Sequence, residues 1–110
     1  MFQRPKRQGR GRRSPARVRV HELIATKAAG DKLGARGIST DEAEQIPRNH
    51  HVTVRNPREP TRGAKRHILI GCTDGGRRLT LVIERTDDPS VWLVVTGWPA
   101  TPNERRILER

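Results

Sequence analysis

The side chains best suited to chemistry in this chain fall at strand spacing in its second half. Residues 78–84 alternate, so Leu79, Leu81 and Ile83 point one way and Arg78, Thr80, Val82 and Glu84 the other. In the stretch before it, Ile68 and Ile70 are assigned to the side of the leucines, which puts His67 and Leu69 with Arg78. Trp92, Thr96 and Trp98 share one face of the last apolar stretch and are expected to join them. A face of this make-up suits RNA. Arginine holds phosphate and stabilises the charge of a five-coordinate transition state. Histidine or glutamate can move the 2′-hydroxyl proton, and tryptophan can stack on an unpaired base. The plainer reading makes Arg and Glu cross-strand ion pairs and each Trp a core residue. A bulge would reverse part of this sorting, because a slip of one residue flips every side chain.

Other candidates carry less. Lys65-Arg66, just ahead of a strand, reads either as a phosphate contact or as a solvated edge. His50-His51 has no acid or cysteine at ligand spacing, and no zinc signature or Ser/His/Asp order is found. Gly75-Gly76 lacks the strand–loop–helix setting and the Lys-Ser/Thr of a phosphate loop. Cys72, the single cysteine, permits no internal disulfide and sits in an apolar run as a small passive residue. No metal and no cofactor is expected. A lone thiol also suits a reducing cytoplasm.

The elements that must position these groups follow from pattern. Residues 21–36 are expected to form a helix on Leu23, Ile24, Ala28 and Leu33, stopped at Gly37. Ser39 with Glu42 is a capping box that opens a second helix, ended by Pro47. Residues 51–55, 67–72, 79–84 and 91–98 read as strands, the last the most apolar and therefore central. Residues 56–64 read as a Pro- and Gly-containing loop, and Asp74-Gly75-Gly76 as a hairpin turn. Thr101 caps a final short helix with Pro102 at its first position. The order predicts an α+β fold: two N-terminal helices, an antiparallel sheet of three to four strands, and a short C-terminal helix. The helices are expected on one side of the sheet, with the other side open.

Charge divides the chain in two. Residues 1–17 hold seven basic residues and no acid, while residues 18–110 hold 16 basic and 12 acidic, so +7 of the formal +11 lies in an N-terminal arm. The arm reads as a solvated, disordered tail that adds nonspecific affinity for polyanions. An over-extended gene start is the other reading. With no apolar stretch in the arm and no run of about 18 apolar residues anywhere, neither a secretory signal nor a membrane span is expected. Residues 18–110 are expected to form one domain.

The succession of motifs resembles the BrnT-like toxins of the RelE/BrnT superfamily. Arg36-Gly37-Ile38-Ser39 with Glu42-Ala43 is similar to that family's "HGVSxEEA" joint. Arg66 through Gly71 resembles its "RxxxxG" strand, and Gly76-Arg77 with Leu79 its "GRxLxV" strand. Ala100-Thr101 with Glu104-Arg105-Arg106 resembles its "ATxxERR" helix start. The resemblance covers residues 21–108. It implies a RelE-like fold, metal-independent cleavage of RNA that inhibits translation, and neutralisation by a cognate antitoxin protein. Two positions depart: Trp98-Pro99 replaces a basic pair, and Arg36 stands where His is common.

On this basis the catalytic candidates are Arg66, Arg77 and Arg78 for phosphate, Glu104 or Glu84 as proton acceptor or orienting group, and His67 as neutral-pH base. Lys65, Glu84, Trp92, Trp98 and Arg105 are the RNA-binding candidates. The alternative is a non-catalytic module of the same fold that binds nucleic acid or the antitoxin.

Overall fold

A computed structural model describes residues 20–56 and 65–110. The basic arm and the loop expected at 56–64, apart from Asn56, lie outside the described residues. The described chain runs β1 (Glu22–Ala25), α1 (Lys27–Gly34), α2 (Thr40–Glu44), a 3-10 turn (Ile46–Arg48), β2 (His51–Arg55), β3 (Arg66–Cys72), β4 (Arg78–Arg85), β5 (Val91–Pro99) and α3 (Pro102–Leu108). The strands form one mixed sheet in the order β1-β5-β4-β3-β2. β1 lies parallel to β5, and the other neighbours are antiparallel. The fold is α+β, with one strand more than expected and a parallel pair at one edge. The central strand is β4 rather than the more apolar β5.

The extra strand occupies the start of the helix expected at 21–36. Thr26 divides the segment: its backbone is extended, and its hydroxyl accepts the Ala29 N–H at 3.2 Å, so helix begins only at Lys27. The four residues ahead of it pair with Val91–Val94, and the N–H groups of His21 and Glu22 both reach the Ser90 carbonyl. Four residues are too few for an apolar period to distinguish strand from helix. The other boundaries follow their signals. Ser39 and Glu42 cap α2 reciprocally, and Thr101 and Glu104 do the same for α3. Gly37, at φ +74°, makes the left-handed exit from α1.

Two apolar clusters sandwich the sheet. Leu69, Leu79, Leu81, Ile83, Trp92 and Val94 pack with Leu23, Leu33, Ile38 and Ile46 under α1 and α2. On the opposite face Ile70 packs with Ala100 and Leu108, flanked by Val52, Val54, Ile68 and Ile107. Helices therefore lie on both faces, because α3 crosses the side expected to be open. The expected sorting of β3 is reversed. Leu69 stands opposite Leu81 and Ile70 opposite Thr80, so Leu69 and His67 face α1 and α2 while Ile68 and Ile70 face α3. Ile68-Leu69-Ile70 is apolar on both faces, and such a run has no alternation to read.

β5 carries the bulge that reverses the other assignment. Val82 pairs with Thr96 but Ile83 with Val94, leaving Val95 as the extra residue. Thr96 and Trp98 therefore share the α3 face with Thr80 and Val82, while Trp92 turns into the main core.

Candidate nucleic-acid interface

The α3 side of the sheet holds an open groove of about 690 Å³. Its floor is aliphatic, built from Val54, Ile68, Ile70 and Val82, with Val95 and Ile107 beside them. Arg55, Asn56 and Arg66 stand at one end, and Thr96, Trp98 and Glu104 at the other. The groove exists because α3 lies over only part of this face. Its C-terminal end is tied down by His50 Nε2, 2.8 Å from the Leu108 carbonyl oxygen, and by the Arg78–Glu109 pair at 3.2 Å.

Arg66 and Glu84 stand directly opposite on β3 and β4. Arg66 Nε donates to Glu84 Oε1 at 3.0 Å, and both side chains are partly exposed. The pair sets a guanidinium, a group suited to phosphate, beside a carboxylate at one mouth of the groove.

Glu104 is the hub of the opposite end. Its Oε1 accepts the Thr80 hydroxyl at 2.9 Å, the Thr101 N–H at 2.8 Å and the Trp98 indole N–H at 3.1 Å. Trp98 in turn lies under Arg36, whose guanidinium carbon is 5.8 Å from the ring centroid and whose Nη1 donates to the Gly97 carbonyl. Burial pushes the Glu104 pKa up, but the hydrogen bonds from the Thr101 N–H, Thr80 and Trp98 outweigh it and leave the carboxyl below its ordinary value. A depressed folded pKa stabilises the fold above the ordinary glutamate pKa, and that stabilisation is lost as pH falls through the folded value. Wild type is therefore expected to melt higher than Glu104→Gln at neutral pH, with the gap closing as thermal melts are taken into acid. A gap independent of pH would contradict this.

The remaining predicted residues are dispersed. His67 lies on the α1/α2 face, edge-on to Trp92 at 5.3 Å between ring centroids, and so is not on the face of Arg78 and Glu84. Trp92 is 2% exposed, with the Arg85 guanidinium carbon 5.2 Å from its ring centroid, and so offers no stacking surface. Arg77 reaches away from the groove, to the Gly37 carbonyl at 2.9 Å and Glu42 at 3.1 Å, and so braces the hairpin against α2. The backbone hydrogen bond from Ser39, then burial acting the other way, then Arg77 leave Glu42 below its ordinary pKa. Arg78 and Arg105 line a separate shallow depression on the outer side of α3 with Arg106. Lys65 is exposed just before β3. Of the predicted set, Arg66, Trp98 and Glu104 line the groove, and Glu84 joins them through Arg66. Arg55, which the sequence reading did not single out, borders the groove from the last position of β2, but it stands opposite His67, so the register assigns its side chain to the α1/α2 face.

Among the described residues no group of three His, Cys, Asp or Glu is placed to hold a metal ion, and no helix is long and apolar enough to cross a membrane. No family model matches the sequence, and comparison with curated proteins finds no match.

Proposed function

We propose that this chain is a toxin-type endoribonuclease of the BrnT/RelE kind, acting without a metal in the cytoplasm and held in check by a cognate antitoxin protein. The observation that carries the reading is the convergence of Arg66, Glu84, Trp98 and Glu104 on one groove. Two helices ahead of an antiparallel run of strands and a capped C-terminal helix support the reading; β1 and its parallel pairing with β5 stand outside the expected order.

In this reading the Arg66–Glu84 pair does the chemistry. The ribose 2′-oxygen attacks the adjacent phosphorus and the P–O5′ bond breaks. The 2′-hydroxyl proton passes to the Glu84 carboxylate, the departing 5′-oxygen takes a proton from water, and the hydroxide so formed takes the proton back from Glu84, which restores the carboxylate. The products are a 2′,3′-cyclic phosphate and a 5′-hydroxyl. Arg66 stabilises charge on the phosphate oxygens as it builds, and its bond to Glu84 sets the orientation of both groups. Arg77 and Arg78 take no part, since each is engaged elsewhere, and His67 lies on the wrong face.

A second reading, the non-catalytic binding module, is favoured by that same dispersal of His67, Arg77 and Arg78. Induced expression of the full chain separates the two. Growth arrest accompanied by fragmented RNA with 2′,3′-cyclic phosphate ends is the expected result. Normal growth and intact RNA, with folded protein present, would leave only the binding module.

A further inference from the structure

Cleavage chemistry at Arg66 and Glu84 leaves the far end of the groove without a role, yet that end is the more elaborately built. Trp98 is held from two directions: Arg36 lies over its ring, and its indole N–H is bonded to Glu104. The two oxygens of Glu104 are unequally used. Oε1 accepts from Thr80, Thr101 and Trp98, whereas Oε2 receives the Trp98 N–H at the longer distance of 3.3 Å. A carboxylate has about four lone-pair sites; three donors occupy them mainly through Oε1, so one site remains, on Oε2. Thr96 and the aliphatic floor line the same groove.

A fixed aromatic wall, an apolar floor and a carboxylate oxygen able to accept N–H groups make a receptor for a flat heterocycle with donors on its edge. We propose that this end of the groove is a base pocket for single-stranded RNA, and that it selects guanine. Guanine places N1–H and the N2 amino group side by side, close enough for both to converge on the single oxygen Oε2. Adenine and cytosine offer an amino group next to a ring nitrogen that repels it. Uracil offers one N–H between two carbonyls. The proposal rests on the groove being the RNA site, and it assigns Glu104 to base reading rather than to catalysis. An acidic amphipathic peptide would suit the floor and the cationic rim, but its carboxylates would meet Glu104 with like charge.

The test uses the full chain and four RNA pentamers, UUGUU, UUAUU, UUCUU and UUUUU, titrated while tryptophan fluorescence is followed. Trp98 is the reporter, because Trp92, the other tryptophan, is 2% exposed. UUGUU is expected to quench and to bind about tenfold more tightly than UUUUU, the scale of one two-donor base contact. Trp98→Leu should remove the quench and the preference. Glu104→Gln should remove the preference alone, because its carboxamide presents an N–H₂ as well as an oxygen. Circular dichroism establishes that both variants fold, and the wild-type ranking stands as a test without them. Equal binding of all four pentamers would overturn the base pocket and leave the RNA reading standing. Failure of every pentamer to bind would overturn both, as would quenching by an acidic amphipathic peptide and by no pentamer.

Discussion

Arg66→Ala should lower the rate of RNA cleavage by about 10²–10³ while leaving the protein folded. The rate effect is the usual consequence of removing one charge-stabilising donor from a transition state. The ion pair with Glu84 is partly exposed, with side-chain exposures of 44% and 26%, and such pairs contribute at most about 1 kcal/mol to stability. The two effects are therefore separable. Glu84→Gln should show a comparable loss of rate, because it removes the proton acceptor and the orienting partner together. The measurement is single-turnover cleavage of a defined RNA beside a thermal melt of each variant. Full cleavage by Arg66→Ala would remove the pair from the mechanism.

The second large effect concerns stability. A Cβ at Gly97 would lie 2.5 Å from Leu81 Cδ2, 2.9 Å from the Thr80 carbonyl oxygen and 3.1 Å from Leu33 Cδ2. Two of these atoms belong to β4, the direct neighbour of β5, so relief requires the two strands to separate. Gly97→Ala is expected to cost up to about 3 kcal/mol and Gly97→Val more. In a domain this small, about 3 kcal/mol lowers Tm by roughly 12–24 °C. Gly34, the last residue of α1, is the control. Nothing lies within 4 Å of its added Cβ, and the change to alanine should be neutral or stabilising by up to about 1 kcal/mol. Equal melting temperatures for the two alanine variants would contradict the packing described for β5.

These two sites show what the sequence could and could not reveal. The Ser39–Glu42 capping box, the Thr101 cap, the Asp74-Gly75-Gly76 turn and the alternation of Leu79, Leu81 and Ile83 are local signals, and each placed its element correctly. β1 was hidden because Leu23 and Ile24 fit a helical stripe as well as a strand. Only the edge of β5 decides between them. The face of His67 was lost because β3 is buried on both sides, and the face of Trp92 because one extra residue at Val95 changes the parity of the strand. Both depend on pairing partners distant in sequence. Arg66, Glu84, Trp98 and Glu104 were legible as candidates by residue type alone; the expected sorting of β3 set Arg66 on the face away from Glu84, and both that pair and the bond from Trp98 to Glu104 follow from the register and the α3 cap. Arg36 was noticed as a departure from a family pattern, and its contact with Trp98 follows from where α1 ends.

The central claim is that RNA occupies the groove between α3 and the sheet. Titration of ¹⁵N-labelled full-length protein with a single-stranded RNA, followed by amide and indole shifts, tests it most directly. Shifts concentrated at Ile68, Ile70, Val82, Thr96 and the Trp98 indole are the predicted result. Shifts confined to α1 and α2, or to the basic arm with the groove residues unchanged, would contradict it.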